Sequence, residues 1–248
     1  MRVLLTNDDG INGEGLRVVA DFAKRRGHHI TVCAPKVEQS AKSHAINIHT
    51  PFEIKKVEYA GADVAYSVDS TPADCVRFAT LGLKPNYDLV ISGINRGLNM
   101  GEDVLYSGTA AAIFEACNQN LKGVAMSTHV YSFDSARAWI DKVFDFIAEK
   151  ELFKYCDFLN VNVPENAKGI LITKMGGPYY TDSFREISKD LWQQEGHCVH
   201  NNRHDHTIDT DATIDGYVTI TPMTNNRTDY KAYEIIKNIK WENQYNIE

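Results

Sequence analysis

The sequence predicts an α/β fold in which helices flank a mostly parallel sheet. An apolar run reaches from the first residue to Asn7, a helical apolar spacing follows at 15–26, and a second apolar run occupies 30–34. A strand, a helix and a second strand in such close succession are typical of a βαβ unit, which implies parallel pairing and a right-handed crossover. A further apolar run at 88–92 continues the pattern later in the chain.

The overall composition narrows the class of protein. The chain has 248 residues, 43% of them hydrophobic, which is enough for one large domain or for a domain with an appendage. Its net charge of −7 provides no general attraction to nucleic acid or anionic membranes, so neither is expected as a partner. The absence of a signal-peptide pattern and of an apolar run of about 18 residues favours a cytoplasmic protein. Five cysteines are scattered without CxxC spacing, which indicates neither a disulfide framework nor a cysteine zinc site.

The end of the first strand is the first candidate site. There the apolar run stops abruptly at Asn7, Asp8, Asp9 and Gly10. In open parallel sheets, ligands bind outside the carboxyl ends of the strands. Two carboxylates about 5 Å apart repel each other by roughly 3 kcal/mol at an effective dielectric of about 20, and a bound cation removes that cost. We therefore expect Mg²⁺, Mn²⁺ or Ca²⁺ at Asp8 and Asp9; a turn or a cap of the next helix is the alternative.

The next part of the chain is predicted to mix loop, strand and helix. The loop at 35–43 is long and polar, so it is able to fold over the tip of the first strand, and Ser40 lies in it. Residues 46–57 are interrupted by Pro51, which favours an extended or hairpin excursion over a central strand. A short strand is expected at 64–68, and a helix from Pro72 to about Leu83, capped by Ser70 or Thr71.

Two loops after the strand at 88–92 carry further candidate residues. The glycine-rich run at 93–101 contains Asn95 and Asn99 and belongs at the same sheet edge as the aspartates. Its spacing matches neither a P-loop nor a GxGxxG motif, and a tight turn is the alternative interpretation. Further on, hydroxyls and free N–H groups meet at the start of an alanine-rich helix at 110–116, which favours phosphate. The residues there are Ser107, Gly108 and Thr109, with Ser107 as an ordinary N-cap being the alternative.

The pattern changes in the last third of the chain. A strand at 124–127 and an amphipathic helix at 136–149 still repeat the earlier alternation. Short strands separated by turns then follow, and a final helix is expected; these elements occupy 158–163, 169–173, 217–221 and 229–239. We therefore predict a Rossmann-like core at 1–150 and a smaller, β-rich and helical accessory region at 151–248.

Histidines clustered at 197–206 suggest an alternative, a zinc site formed together with Cys198. Their order matches no standard finger spacing, the segment at 201–203 resembles a hairpin turn, and clustered histidines in a polar turn are more typically solvated. The acidic residues that follow do not fit an EF-hand, because Thr213 occupies a ligand position.

Several separated motifs occur in a characteristic order and spacing. They are NDDG at 7–10, SGINRGLNMG at 92–101 with YSGTAAA at 106–112, and TDATIDGYVTITP at 210–222. Together they resemble the SurE family of metal-dependent 5′/3′-nucleotidases. The loop APKVEQSAKS and the segment STPADC also resemble that family, which usually has Gly where this chain has Ser70. Modest departures at Lys42, Ser43, Ala112 and Cys117 bear on packing and loop flexibility rather than on the ligands.

The resemblance implies a set of site residues and an assembly. It implies one divalent cation, such as Mg²⁺ or Mn²⁺, held by Asp8, Asp9, Ser40 and Asn95. It implies a phosphate held by Asn99, Ser107, Gly108 and Thr109, with catalysis by Asp8, Asp9, Asn95 and Ser107. It also implies a homodimer or homotetramer in which the C-terminal strand and helix are exchanged, so that 151–248 serves oligomerisation.

The residues and the resemblance together predict a phosphomonoesterase. The resemblance implies that it hydrolyses nucleoside 5′- and 3′-monophosphates, with exopolyphosphatase as a side activity. The cation polarises a phosphoryl oxygen and lowers the pKa of a bound water, while Asn99, Ser107 and Thr109 hold the developing charge. Asp8 as nucleophile or base is an alternative, and no residue stands out as the general acid. A non-catalytic nucleotide-binding or metal-binding regulatory protein is the alternative function.

Overall fold

The computed structural model describes residues 1–239. The strands are β1 (Arg2–Thr6), β2 (His29–Pro35), β3 (Ile54–Val57), β4 (Val64–Val68), β5 (Leu89–Arg96), β6 (Gly123–Thr128), β7 (Phe158–Val163), β8 (Ile170–Ile172), β9 (Tyr180–Ser188), β10 (Leu191–Cys198) and β11 (Val218–Met223). The α-helices are α1 (Glu14–Arg25), α2 (Pro72–Arg77), α3 (Gly108–Asn118), α4 (Asp134–Glu149), α5 (Asp209–Ile214) and α6 (Tyr230–Ile236). None of the described helices has the length and apolar character needed to span a membrane.

A nine-stranded sheet in the order β3-β4-β2-β1-β5-β6-β7-β11-β8 forms the centre of the molecule. Strands β4, β2, β1, β5, β6 and β7 are parallel to one another. β3 pairs antiparallel with β4 at one edge, and β11 pairs antiparallel with β7 near the other. The predicted α/β fold with a mostly parallel sheet and flanking helices is therefore confirmed.

Helices cover both faces of the sheet. Successive residues of a strand point to opposite faces, so neighbouring side chains pack against different helices. Val3 and Leu5 pack in one apolar cluster with α1 and α4, whereas Leu4 packs in a second cluster with α2 and α3. All three side chains are 0% exposed, and burying each contributes about 1.5–3 kcal/mol. Burial on both faces explains why the first strand is continuously apolar rather than alternating.

The C-terminal region contributes to this sheet and also forms a separate hairpin. β7, β11 and β8 lie within the nine-stranded sheet, while β9 and β10 make a two-stranded antiparallel sheet of their own. The prediction of a hairpin turn at 201–203 is wrong, because the hairpin turns earlier, where Asp190 adopts a left-handed backbone with φ of 63°. The predicted boundary at residue 150 stays a prediction, and 240–248 lie outside the described residues.

Several elements differ in extent from the sequence predictions. β5 continues to Arg96, so Asn95 lies within the strand, next to a register shift that begins at Gly93. The helix predicted to reach Leu83 is α2 followed by a wider helical turn at Phe78–Gly82. α5 has no counterpart in the predictions, because a six-residue segment with two Asp and two Thr has little helical propensity.

Candidate active site

The predicted site lies where the central strands β1 and β5 end side by side. Thr6 pairs with Ser92, and the chain continues from β1 to β2 on one side and from β5 to β6 on the other. Such a topological switch point opens a crevice at the carboxyl edge of a parallel sheet. Asp8 and Asp9 follow β1 at this crevice, and Asn95 lies at the end of β5.

Asp8 is held against the N-terminus of α3. The residue is 3% exposed, and its Oδ1 accepts a 2.5 Å hydrogen bond from the Thr109 hydroxyl. A Cβ on Gly108 would lie 2.9 Å from Asp8 Oδ2, so a glycine lets the helix approach this closely. Burial raises the pKa of Asp8 to about 6; the Thr109 hydrogen bond opposes this rise, and the charge of Asp9 adds to it. The structure thus brings Asp8, Gly108 and Thr109 together.

Asp9 is half-buried beside the end of β5. Burial raises its pKa, a hydrogen bond from the backbone N–H of Arg96 opposes that rise, and the negative charge of Glu38 adds to it. Glu38 was not identified from the sequence, since nothing in the loop singles it out among the polar residues. The crevice therefore gathers three acidic residues, Asp8, Asp9 and Glu38.

The loop after β2 folds over the tip of β1, consistent with its length. Ile11 N–H donates to Pro35 O and Gln39 N–H donates to Asp8 O, both at 2.7 Å. Ser40 follows directly, but it is exposed and its hydroxyl donates to Glu38 Oε1 at 2.7 Å. Gln39, which precedes Ser40, therefore contacts the site through its main chain. The Ser40 Oγ points toward Glu38 instead.

Asn95 and Asn99 lie at the carboxyl edge in different environments. Asn95 Nδ2 donates to Gly97 O at 2.8 Å, which leaves the Asn95 amide oxygen for another partner. Asn99 Nδ2 donates to Ser127 Oγ at 2.8 Å. An amide nitrogen carries two hydrogens, so Asn99 keeps one N–H for an anion.

Ser107 caps helix α3. Its Oγ accepts a 3.1 Å hydrogen bond from Ala110 N–H, and the residue is buried. The interpretation of Ser107 as an N-cap is correct, and its hydroxyl hydrogen remains available to donate to a ligand. Because Thr109 bonds to Asp8, the N-terminus of this 11-residue helix lies at the crevice, where its N–H groups and macrodipole favour an anion.

Further buried polar residues near the site were missed by the sequence analysis. Asn160 and Asn162 of β7 bond to the main chain of Asn99, and Ser127 of β6 bonds to its side chain. A signal was present in the strand sequence FLNVNV, because an asparagine at every second position marks one polar stripe on an otherwise apolar strand.

The residues predicted to bind a cation offer oxygen atoms: two carboxylates, the Asn95 amide oxygen and the Ser40 hydroxyl. This donor set fits a hard divalent cation. Burial raises the pKa of both Asp8 and Asp9, and the buried Asn7 Oδ1 has no hydrogen-bond partner within residues 1–239. No group of three or more His, Cys, Asp or Glu side chains in that range is arranged to hold a metal. A cation at this crevice would therefore need oxygen ligands in addition to the carboxylates.

Three of the four clustered histidines face carboxylates. His204 Nδ1 and His206 Nε2 lie 2.8 and 2.7 Å from Asp215 Oδ2, and His200 Nε2 lies 2.9 Å from Asp211 Oδ1. Hydrogen bonds from His204 and His206 hold the pKa of Asp215 well below its usual range. The histidines thus accompany acids of the α5 segment, and nothing in the described part of the chain arranges them as a metal cage.

Comparison with known proteins gives a consistent result over nearly the whole chain. The family model described as Survival protein SurE matches residues 3–182. The chain is 37% identical over 253 residues to the 5'-nucleotidase SurE of Clostridium botulinum (strain Alaska E43 / Type E3), covering 96% of this chain and 99% of that protein. It is 40% identical over 252 residues to the 5'-nucleotidase SurE of Clostridium tetani (strain Massachusetts / E88), with the same coverage of 96% and 99%.

A solved structure is similar in fold as well as in sequence. The crystal structure of the SurE protein from Aquifex aeolicus matches with a TM-score of 0.77 and 30% identity, covering 96% of this chain and 98% of that chain. The resemblance of the sequence motifs is therefore confirmed by the family match, by the relatives and by the fold. This chain belongs to the SurE family.

Proposed function

We propose that this protein is a divalent-cation-dependent nucleotidase that hydrolyses nucleoside 5′- and 3′-monophosphates to nucleoside and phosphate. The observation that carries the proposal is the contact between Asp8 and Thr109, at 2.5 Å, which joins an oxygen-rich cation site to the N-terminus of α3. A cation and a phosphate bound at these two places are direct neighbours. The name 5'-nucleotidase borne by the relatives supports the same reaction class.

Asp8, Asp9, Asn95 and Ser40 would hold the cation. Asn95 presents its oxygen because its nitrogen is engaged with Gly97, and Ser40 contributes once its hydroxyl leaves Glu38. When bound, a divalent cation offsets phosphate charge and makes water a stronger nucleophile near neutral pH. Mg²⁺ and Mn²⁺ both suit a set of oxygen ligands.

The phosphate would lie at the N-terminus of α3. Both the hydroxyl and the backbone N–H of Thr109 bond to the Asp8 carboxylate, so Thr109 fixes the helix N-terminus beside the phosphate. Gly108 would contribute a backbone N–H group, and Ser107 would donate its hydroxyl hydrogen. Asn99 adds the N–H that Ser127 does not use. A donor aimed at charge that develops in the transition state contributes roughly 2.7–4 kcal/mol.

Water is the nucleophile in this proposal. Thr109 holds the Asp8 carboxylate against Gly108, which limits the movement that an attacking carboxylate needs. Attack by Asp8 itself is the alternative, and it forms an aspartyl phosphate. Acid quenching during turnover of radiolabelled nucleotide distinguishes the two, because label retained on Asp8 supports the covalent route and unlabelled protein supports water.

The function is tested by phosphate release from 5′-AMP, 3′-AMP and polyphosphate. Metal-stripped protein is assayed with chelator, with Mg²⁺ and with Mn²⁺, and the variant Asp9→Asn controls for contaminating phosphatases. We expect release from both monophosphates only when a cation is present, and slower release from polyphosphate. Full activity in chelator contradicts the cation requirement, and nucleotide binding without turnover favours the regulatory alternative.

We also infer that the protein assembles as a homodimer or homotetramer. Tyr180, Phe184 and Trp192 share one face of the β9–β10 hairpin and are 53%, 65% and 57% exposed. An isolated two-stranded sheet is marginally stable in water, and exposed aromatic side chains gathered on one face mark an interaction surface. Helix α6 exposes a second apolar set, namely Tyr230, Tyr233, Ile235 and Ile236.

A further inference from the structure

The polar stripe of β7 holds the main chain of Asn99. Asn162 Oδ1 accepts a hydrogen bond from Asn99 N–H, and Asn162 Nδ2 donates to Asn99 O, both at 2.8 Å. Asn160 Nδ2 donates to the same carbonyl oxygen, also at 2.8 Å. One side-chain amide therefore pairs with both polar groups of the Asn99 backbone, much as a neighbouring strand does.

The segment around Asn99 belongs to no regular element. β5 ends at Arg96, and the helical turn that follows begins at Gly101. On either side of the segment, Gly97 N–H donates to Thr128 O at 2.9 Å and Gly101 N–H donates to Asp209 Oδ2 at 3.0 Å. Between these points, Asn95 Nδ2 donates to Gly97 O. The other hydrogen bonds to the main chain that occur there within residues 1–239 come from Asn160 and Asn162.

The two asparagines are unfavourable for stability alone. Both are 0% exposed in a strand whose other residues are apolar, and Asn160 Oδ1 has no partner within the described residues. Removing an amide oxygen from water without a replacement hydrogen bond is costly, so a group of this kind requires an explanation. Their shared contact with Asn99 explains why amides stand in this strand, although Asn160 Oδ1 takes no part in the contact.

We propose that Asn162, assisted by Asn160, is a positioning residue that fixes the Asn99 backbone so that the Asn99 side chain meets the phosphate. The inference rests on the proposed function, because that function assigns Asn99 to the phosphate. With the backbone held by β7 and Nδ2 held by Ser127, the Asn99 amide has one orientation. Releasing the backbone lets the amide shift, and a displacement of about 1 Å costs on the order of 100-fold in rate.

The test compares two loosened variants with a matched control. Asn162→Ala removes two of the hydrogen bonds to Asn99, whereas Asn160→Ala removes one. The control is Thr219→Val on β11, because Thr219 pairs with Asn162 across the sheet, is 0% exposed, and bonds to Thr213 at 3.0 Å rather than to Asn99. For each protein we measure kcat and KM for 5′-AMP, the affinity for inorganic phosphate in the presence of Mn²⁺, the Mn²⁺ affinity itself and the melting temperature.

We expect Asn162→Ala to lower kcat/KM on the order of 100-fold and to weaken phosphate binding about tenfold. Asn160→Ala shows a smaller change in the same direction, while Mn²⁺ affinity stays at the wild-type value in both variants. Thr219→Val lowers the melting temperature without changing either kinetic constant. A merely structural role of Asn162 would instead change the melting temperature while leaving phosphate affinity and kcat/KM intact.

Three results overturn the inference: wild-type kinetics in folded Asn162→Ala, a parallel loss of Mn²⁺ affinity, or an equal kinetic loss in Thr219→Val. If Asn162→Ala does not fold, Asn160→Ala decides the question by the same measurements. If the wild-type protein binds phosphate but hydrolyses no nucleotide, the proposed function fails, and the phosphate affinities of the two variants still test the positioning role.

Discussion

At the residue scale, Gly108 lies too close to Asp8 to carry a side chain. A Cβ at this position would lie 2.8 Å from Asp8 Cβ and 2.9 Å from its Oδ2. Gly108→Ala favours the helix by about 1 kcal/mol in propensity but forces Asp8 to move. We expect a folded protein whose kcat/KM falls on the order of 100-fold, as for other misplaced catalytic groups. The matched control is Gly177→Ala, whose added Cβ meets nothing within 4 Å; wild-type activity in Gly108→Ala contradicts the need for this close approach.

The variant Asp9→Asn tests whether the acidic crevice binds a cation. Burial and the charge of Glu38 raise its pKa, so its ionised form costs stability above that pKa. In chelator near neutral pH, Asp9→Asn is therefore more stable than wild type, by on the order of 1–3 kcal/mol in the free energy of unfolding after screening. The variant melts at the higher temperature. In Mn²⁺ at a thousandfold excess over Kd the order reverses, because wild type gains roughly 4.1 kcal/mol and the variant does not.

Thermal melts of both proteins in EDTA and in Mn²⁺ measure this reversal. If Asp9 served only to cap or turn the chain, asparagine would replace it well and the two proteins would melt alike in both conditions. An unchanged melting order together with retained activity excludes these aspartates as the cation site.

Residue types at the site were easier to predict than residue contacts. An apolar run that ends in two aspartates identifies Asp8 and Asp9 locally, and small residues before an alanine-rich helix identify Ser107. The bonds from Asn160 and Asn162 to Asn99 span 61 and 63 residues, and local periodicity contains no information about such partners. For the same reason, the orientation of Ser40 toward Glu38 did not follow from the sequence.

At the scale of elements, the loop over β1 contains residues in an unusual backbone conformation. Ala41 and Ser43 have φ of 57° and 52°, in the left-handed region that favours glycine. A non-glycine residue there costs roughly 1–2 kcal/mol, and a glycine costs about 0.5–1 kcal/mol of unfolded-state entropy. Ala41→Gly should therefore stabilise the protein by about 0.5–1 kcal/mol in thermal melts.

Ser43 supplies the comparison for that change. Its hydroxyl donates to Leu105 O at 2.7 Å, so Ser43→Gly loses a hydrogen bond worth about 0.5–1.5 kcal/mol and gains little or nothing overall. A lower melting temperature for Ala41→Gly than for wild type contradicts the assignment of backbone strain to this loop.

Glu115 of α3 connects three elements. Its carboxylate accepts hydrogen bonds from Arg77 of α2 at 2.9 Å and from Gln119 at 3.1 Å, and it lies 3.0 Å from His44 Nε2 of the loop after β2. Burial raises its pKa, but these bonds and the Arg77 charge outweigh burial, so the pKa lies below the ordinary 4.5. A lowered carboxylate pKa adds stability above the unfolded-state value and loses it as the pH falls through the folded-state value.

We therefore expect Glu115→Gln to destabilise the protein by about 1–3 kcal/mol at neutral pH, because Arg77 and His44 lose a charged partner. The difference from wild type narrows as the pH falls below 4.5. Thermal melts across this range measure the effect, with Glu58→Gln as an exposed control. A difference that is independent of pH contradicts an ionic role for Glu115.

Elements with one clear burial pattern were predicted, and those without one were not. The first βαβ unit follows from apolar periodicity, because β1, α1 and β2 bury continuous or amphipathic surfaces. All nine residues of β9 are exposed. A strand without a buried face does not need the alternation of apolar and polar residues by which half-buried strands are predicted. α5 is short and acidic, and its formation depends on contacts with distant segments, such as Asp209 with Gly101 and Gly176.

At the scale of the whole molecule, the candidate site is a product of the sheet order. Asp8, Asn99, Thr109 and Asn162 come from distant parts of the chain and converge because β1, β5, β6 and β7 are neighbours. The motifs indicated which loops take part, but only the strand order brings β7 to the loop after β5. The predicted core at 1–150 thus omits Asn160 and Asn162, two residues in contact with the site.

The exposed aromatic residues of the β9–β10 hairpin bear on the assembly of the protein. Phe184 and Trp192 are exposed on one face, and exposed aromatic residues on an isolated two-stranded sheet favour a partner surface. Replacing both with Lys puts charges where an interface must exclude water, so we expect the oligomer to dissociate to monomers in light scattering after gel filtration. The control is Gln193→Lys on the opposite face, which should keep the wild-type mass. Circular dichroism of the double variant should match wild type, because the hairpin lies outside the nine-stranded sheet. An unchanged oligomeric mass in the folded double variant would show that the assembly does not depend on this face.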